Sequence, residues 1–86
     1  MPKVKYNHPR QAVYEVVDGE RNYQDDTFGD NPHSVTEFLT YMQHYLSLAI
    51  TKVSTTKGDT CALDEVRKIT ALGVVCMEQN GFRRRQ

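Results

Sequence analysis

Apolar and polar residues alternate with a helical period through most of the chain after Ser34. Val35, Phe38, Leu39, Met42, Tyr45, Leu46, Ala49 and Val53 recur three and four positions apart, which gathers them on one face of a helix. Ser34 and Glu37 form an S-x-x-E capping box at its start, so the spacing predicts a helix over about 35–53. The polar stretch Ser54 to Thr60 contains Gly58 and a cap candidate in Asp59 or Thr60. Its length suits the connection between two antiparallel helices, and a helical hairpin is predicted. A third helix is predicted over about 61–80. It stops at Asn80-Gly81, where Gly81 can take the left-handed position beyond the helix and Phe82 can pack back onto it. Upstream, a first helix is predicted over about 8–26, with Asn7 as its cap, Pro9 in its first turn and Gly19 as a weak point. The fold class is therefore all-α, an N-terminal helix plus an antiparallel helical hairpin in a single domain spanning 1–86, with a basic tail at 82–86.

The third helix bears on assembly. Ile69, Ala71, Leu72, Gly73, Val74, Val75, Cys76 and Met77 are apolar at nearly every angle around its axis, and such a helix needs cover on all sides. One partner helix cannot supply it, so the first helix, another subunit or both must contribute. Chains of this length rarely build enough core alone, which favours a dimer or higher oligomer; a three-helix monomer is the alternative. Gly73 in a helix interior costs about 1 kcal/mol relative to Ala and points to a close crossing.

Composition narrows the possibilities. A chain of 86 residues supplies one small domain. Its formal net charge of zero gives no support to generic or sequence-specific nucleic-acid binding. Cys61 and Cys76 lie on one predicted helix, about 22 Å apart at the helical rise, and are expected as free thiols. No apolar run reaches the length of a membrane span, and MPKVKYNHPR lacks the apolar centre of a signal peptide. A cytoplasmic protein without membrane association is the expectation.

Catalytic constellations are sparse. The acid groups Asp25-Asp26, Asp64-Glu65 and Glu15, Asp18 and Glu20 do not form the helical E-x-x-E spacing that aims two carboxylates at one magnesium ion. His8, His33 and His44 lack partners at zinc spacing and read as cap, turn and helix-surface residues. Cys61 has no nearby histidine in sequence. Gly-rich phosphate loops and nucleophile elbows are absent. The chain is read as a non-enzyme with no metal and no cofactor.

The densest chemistry lies between Asn7 and Gly29, where Arg21, Tyr23, Gln24, Asp25 and Phe28 fall within eight positions. Guanidinium, phenol, amide, carboxylate and ring suit a flat, polar, anionic ligand such as a nucleotide. Arg10, Tyr14 and Arg21, at offsets of four and seven, share one side of the first helix. Arg67 and Lys68 offer a second basic pair, although Asp64 stands four residues before Lys68 and can form an intrahelical ion pair. An aromatic stacked on a base contributes about 1–3 kcal/mol. The alternative is that Tyr14, Tyr23 and Phe28 pack internally or at an interface while Arg21, Asp25 and Asp26 form a solvated face. Arg83, Arg84 and Arg85 read as a solvated helix end.

Two resemblances follow from these residues. ERNYQDDTFG, a helix and then ALDEVRKITALGVVCMEQNG look like small phage-encoded proteins. More distantly they resemble all-α nucleotide pyrophosphohydrolases of the MazG-like type, in which an ER-x-x-QD-x-x-x-G element precedes the helical core. Glu20, Arg21, Gln24, Asp25 and Gly29 match that element. Those enzymes hold magnesium on an E-E-x-x-E helix, whereas TEFLTYMQHYLSLA has Glu37 as its only acid; a degenerate relative is what this likeness implies. The architecture is also similar to phage sponge proteins that sequester cyclic nucleotide messengers of bacterial defence. That resemblance implies an oligomer in the cytoplasm of an infected host, binding a cyclic oligonucleotide or cyclic ADP-ribose type of molecule between subunits without cleaving it. By place and chemistry Tyr14, Arg10 and Arg21 would grip the ligand. A protein-interaction module without a small ligand is the competing expectation.

Overall fold

The computed structural model describes residues 6–29 and 31–86. It is all-helical: α1 (Arg10–Phe28), α2 (Val35–Thr55), a 3₁₀ turn (Thr60–Ala62) and α3 (Leu63–Asn80). The capping box is formed at α2, with Ser34 Oγ accepting from the Glu37 amide and Glu37 Oε1 accepting from the Ser34 amide, each at 3.1 Å. At α1 the boundary differs from the predicted one. Asn7 is not the cap; Pro9 precedes the helix with extended backbone (φ −63°, ψ 143°) and no side-chain cap bond. A proline disfavours helical geometry in the residue before it, so the helix cannot reach back to His8 and starts at Arg10. Cys61 likewise sits in the 3₁₀ turn rather than in α3.

The third helix ends as Gly81 takes φ 91° and donates its amide to Met77 O at 2.9 Å. Phe82 does not fold back onto α3. With Gly81 at ψ 178° the chain leaves extended, and the exposed Phe82 ring meets the Arg84 guanidinium at 5.1 Å instead.

Helix α3 is the centre of the fold. Both α1 and α2 pack against it and they do not pack on each other. On the α2 side, Phe38, Met42, Tyr45, Ala49 and Lys52 follow heptad-like spacing and are the least exposed residues of that helix. The methionine explains Gly73: a Cβ there would stand 3.3 Å from Met42 Cε. On the α1 side the inward residues are Val17, Glu20, Arg21 and Gln24. Three of these four are polar. Ala71, fully buried, lies within α3. Among the described residues no large side chain is fully buried, and α3 is covered on two sides rather than all round.

Ion pairs therefore carry much of the helix register. Arg67 of α3 donates to Glu20 at 2.8 Å and to Asp64 at 2.9 Å. Arg21 of α1 donates to Glu78 at 2.7 Å and to Asp25 at 3.0 Å. The two cross-helix pairs run in opposite senses between α1 and α3, which fixes the helices along their length. Lys52 of α2 pairs with Glu65, a carboxylate only 2% exposed. Removing one member of such a pair strands the other, whereas replacing both with apolar groups does not. Lys52→Met is expected to lower the urea midpoint by stranding the buried Glu65 carboxylate, and Lys52→Met with Glu65→Leu to recover most of that loss. Urea unfolding of the two single variants and the double variant measures the coupling; additive losses would mean that the pair does not act as a unit.

Candidate functional site

Because α1 and α2 stand apart, a groove of about 300 Å³ opens between them with α3 as its floor. Its α2 wall is Phe38, Tyr41, His44 and Tyr45, its floor Leu72, Val75 and Gln79, and its α1 wall Arg21, Gln24, Asp25 and Phe28. Residues 41, 44 and 45 share one flank of α2 because they are separated by three and four positions. The groove is mostly apolar and aromatic with a few polar groups at its edges, the usual constitution of a small-molecule site.

One end of the groove is built by the segment before α2. The His33 ring meets Phe38 edge-on at 5.6 Å and Tyr41 at 5.4 Å. Its backbone amide donates to Gln79 Oε1 at 2.9 Å and its carbonyl accepts from Asn80 Nδ2 at 3.1 Å. Gln79 Nε2 in turn donates to Asn31 O at 3.2 Å. The end of α3 thus holds residues 31–33 in place through two amide side chains. Glu37 Oε2 lies 3.1 Å from His33 Nδ1.

Gln24 is the most unusual group here. It is 8% exposed, its amide nitrogen donates a long 3.5 Å bond to Lys68 O, and its carbonyl oxygen is buried without a partner. An unsatisfied buried acceptor costs about 1–3 kcal/mol, so a donor reaching it would be strongly favoured.

The residues expected from the sequence separate into groups. Gln24, Phe28, Asp25 and Arg21 come together in the groove. Tyr14 and Arg21 meet along a second groove at the α1–α3 seam, with Asp25, Val74 and Glu78. Arg10 and Tyr23 are exposed and line neither groove. Arg21 and Arg67 are engaged by carboxylates, and the Glu78 and Glu20 bonds respectively raise their pKa values further. Lys68 forms no ion pair among the described residues, with Asp64 turned to Arg67, and its ammonium lies 5.5 Å from the centre of the Tyr45 ring. His33, Tyr41, His44, Tyr45 and Gln79 were not singled out as site residues. The signal for three of them was present: Tyr41, His44 and Tyr45 form an i, i+3, i+4 set, with Tyr45 inside the apolar stripe of α2 and Tyr41 and His44 beside it.

Among the described residues no group of three or more His, Cys, Asp or Glu side chains is placed to hold a metal ion, and no helix is long and apolar enough to cross a membrane. Cys61 and Cys76 are free thiols. The chain matches no protein-family model, and no curated protein or solved structure matches it.

The Glu37 carboxylate has a pKa below its ordinary value, chiefly because the Ser34 amide donates to it, then through the His33 ring and the Ser34 hydroxyl. A depressed folded-state pKa gives stability that is present above the unfolded-state value and lost as pH falls through the folded one. The wild-type urea midpoint is expected to drop between about pH 5 and pH 3, with a smaller drop in Glu37→Ala. Equal drops in the two proteins would assign the acid sensitivity to other carboxylates.

Proposed function

We propose that the protein binds a nucleotide-derived small molecule in the α1–α2 groove and holds it without chemistry. The observation that carries this reading is the groove's combination of stackable rings, Tyr41, Tyr45 and Phe28, with the unpartnered carbonyl oxygen of Gln24. A base can stack on the rings, and a shift of the Gln24 side chain toward the groove would let its now buried amide oxygen accept from a base N–H, while Lys68 beside Tyr45 can meet a phosphate. With Arg21 and Arg67 drawn into ion pairs, the rings and amides contribute more to this site than arginine forks do.

A volume of about 300 Å³ lies at the lower end of the range for ligand pockets and suits one nucleotide-sized moiety. A cyclic oligonucleotide or cyclic ADP-ribose would extend beyond it, and a second subunit in an oligomer would complete the enclosure. In this reading α2 and α3 form a helical hairpin, and α1 is the arm that closes one side of the site. Sequestration of a defence messenger in an infected bacterium is the role that the sponge resemblance suggests. A protein-interaction module is the second reading, favoured by the many exposed apolar side chains on α1 and α2.

A thermal-shift screen against linear nucleotides, cyclic di- and trinucleotides and cyclic ADP-ribose isomers, with and without magnesium, tests the proposal. At a hundredfold excess over Kd, binding adds about 2.7 kcal/mol, a rise in Tm of roughly 10 °C or more for a domain of this size. The expected result is a metal-independent rise for one compound that is recovered intact. Tyr45→Ala is expected to weaken that binding by about 10- to 100-fold through the lost stacking. No shift across the panel favours the protein-partner reading, and consumption of the ligand would identify an enzyme.

A further inference from the structure

Gln24 occupies an inward position of α1 with a polar group that the fold does not use. The inward residues of that helix are Val17, Glu20, Arg21 and Gln24. Glu20 accepts from Arg67 at 2.8 Å and Arg21 donates to Glu78 at 2.7 Å, so these two polar groups join helices. Gln24 differs from them. It is 8% exposed, its carbonyl oxygen has no partner, and its amide nitrogen reaches Lys68 O at 3.5 Å, at the far end of hydrogen-bond range. Lys68 lies inside α3, where its carbonyl accepts along the helix ladder in any case, so that carbonyl does not depend on Gln24.

A methionine or leucine would fill the same space with no polar group to satisfy. A buried carboxamide with neither end well bonded lowers the stability of the free protein. It also forms part of the α1 wall of the groove. When the side chain turns toward the groove, the long bond to Lys68 O is the only one given up among the described residues.

The carboxamide sets one acceptor beside an N–H donor, so its partner must present a donor beside an acceptor, as the edge of a nucleobase does. Adenine offers its 6-amino N–H beside a ring nitrogen, guanine a ring N–H beside its 6-oxygen, and the pyrimidines a similar pair on a single ring. The rest of the groove chooses among them. Phe28, Tyr41 and Tyr45 gain more contact from two fused rings than from one. Of the purines, guanine would leave both N–H groups of its 2-amino group to be met, and adenine one N–H. The carboxylate and amide oxygens on the walls are taken, Asp25 by the two terminal nitrogens of Arg21 and Gln79 by the His33 amide. Each unmet donor in an apolar groove is costly, which favours adenine.

We infer that Gln24 is the specificity-determining residue of the groove, turning to pair with the 6-amino edge of an adenine nucleotide, and that it lowers the stability of the free protein. The inference rests on the nucleotide reading of the groove and adds to it the base and the residue that reads it.

Two measurements on the full chain test this. Gln24→Met keeps the volume and removes the carboxamide, and its urea midpoint without ligand is expected to equal or exceed that of the wild type. Titration with AMP, GMP, CMP and the 5′-monophosphate of purine riboside, which is adenosine without the 6-amino group, is followed by protein NMR up to millimolar nucleotide. The wild type is expected to bind AMP about 10-fold or more tightly than the other three, and Gln24→Met to bind AMP and the purine riboside compound alike. A lower midpoint or loss of folding in Gln24→Met would make the carboxamide structural and overturn the inference. Equal wild-type affinities for AMP and the purine riboside compound, or a preference that survives in Gln24→Met, would also overturn it while leaving the nucleotide reading of the groove in place. Binding of none of the four compounds would overturn both.

Discussion

The relative placement of the three helices depends on charged groups buried where the helices meet. A larger domain fixes helix register through interlocking core side chains. Here the inward apolar residues are few and several are alanines, so volume alone discriminates poorly between one register and the next. The pairs Glu20–Arg67, Arg21–Glu78 and Lys52–Glu65 supply that discrimination. A slip of one turn would leave Glu65 or Arg21 in an apolar seam without its counter-ion, and such a group is far costlier than an unfilled gap.

The same constraint explains the groove. Because α1 is attached through polar contacts to α3 alone, it does not close onto α2, and the space between them remains. The aromatic wall of that space belongs to α2, and the amides that shape its ends come from α1 and α3. The basic residues that seem most available in the sequence serve a different purpose. Arg21 and Arg67 join helices, while Lys68, whose neighbouring acid is taken by Arg67, is left beside the Tyr45 ring.

Helical periodicity, the Ser34–Glu37 capping box and the stop at Gly81 were legible in the sequence because each depends on residues within one or two turns. The all-α class follows from these. The start of α1 was misjudged because Asn7 is a good cap residue while Pro9 restricts the residue before it, and the steric rule prevailed. That Gln24, Phe28 and Arg21 lie close to one another was also legible, since they stand on consecutive turns of one helix; the groove they border was not, because it depends on how α1 and α2 are spaced over α3. The partners of Arg21 and Arg67 were not. Glu78 is 57 residues from Arg21, and Glu20 is 47 from Arg67, and no local pattern records which long-range carboxylate will meet a given arginine. Tyr45 has two roles that a one-dimensional stripe cannot separate, since it packs toward α3 with one edge and lines the groove with the other.

The attachment of α1 along a single seam makes the molecule mechanically unequal. Helices α2 and α3 share a continuous apolar and polar contact closed by the 3₁₀ turn, whereas α1 meets only α3. Two cross-helix ion pairs and the Gln24–Lys68 bond carry much of that attachment, so α1 forms the part of the protein that can open as a separate cooperative unit below the free energy of global unfolding. Anything enclosed in the groove would then be released by the swing of one helix, with the other two left standing as a base.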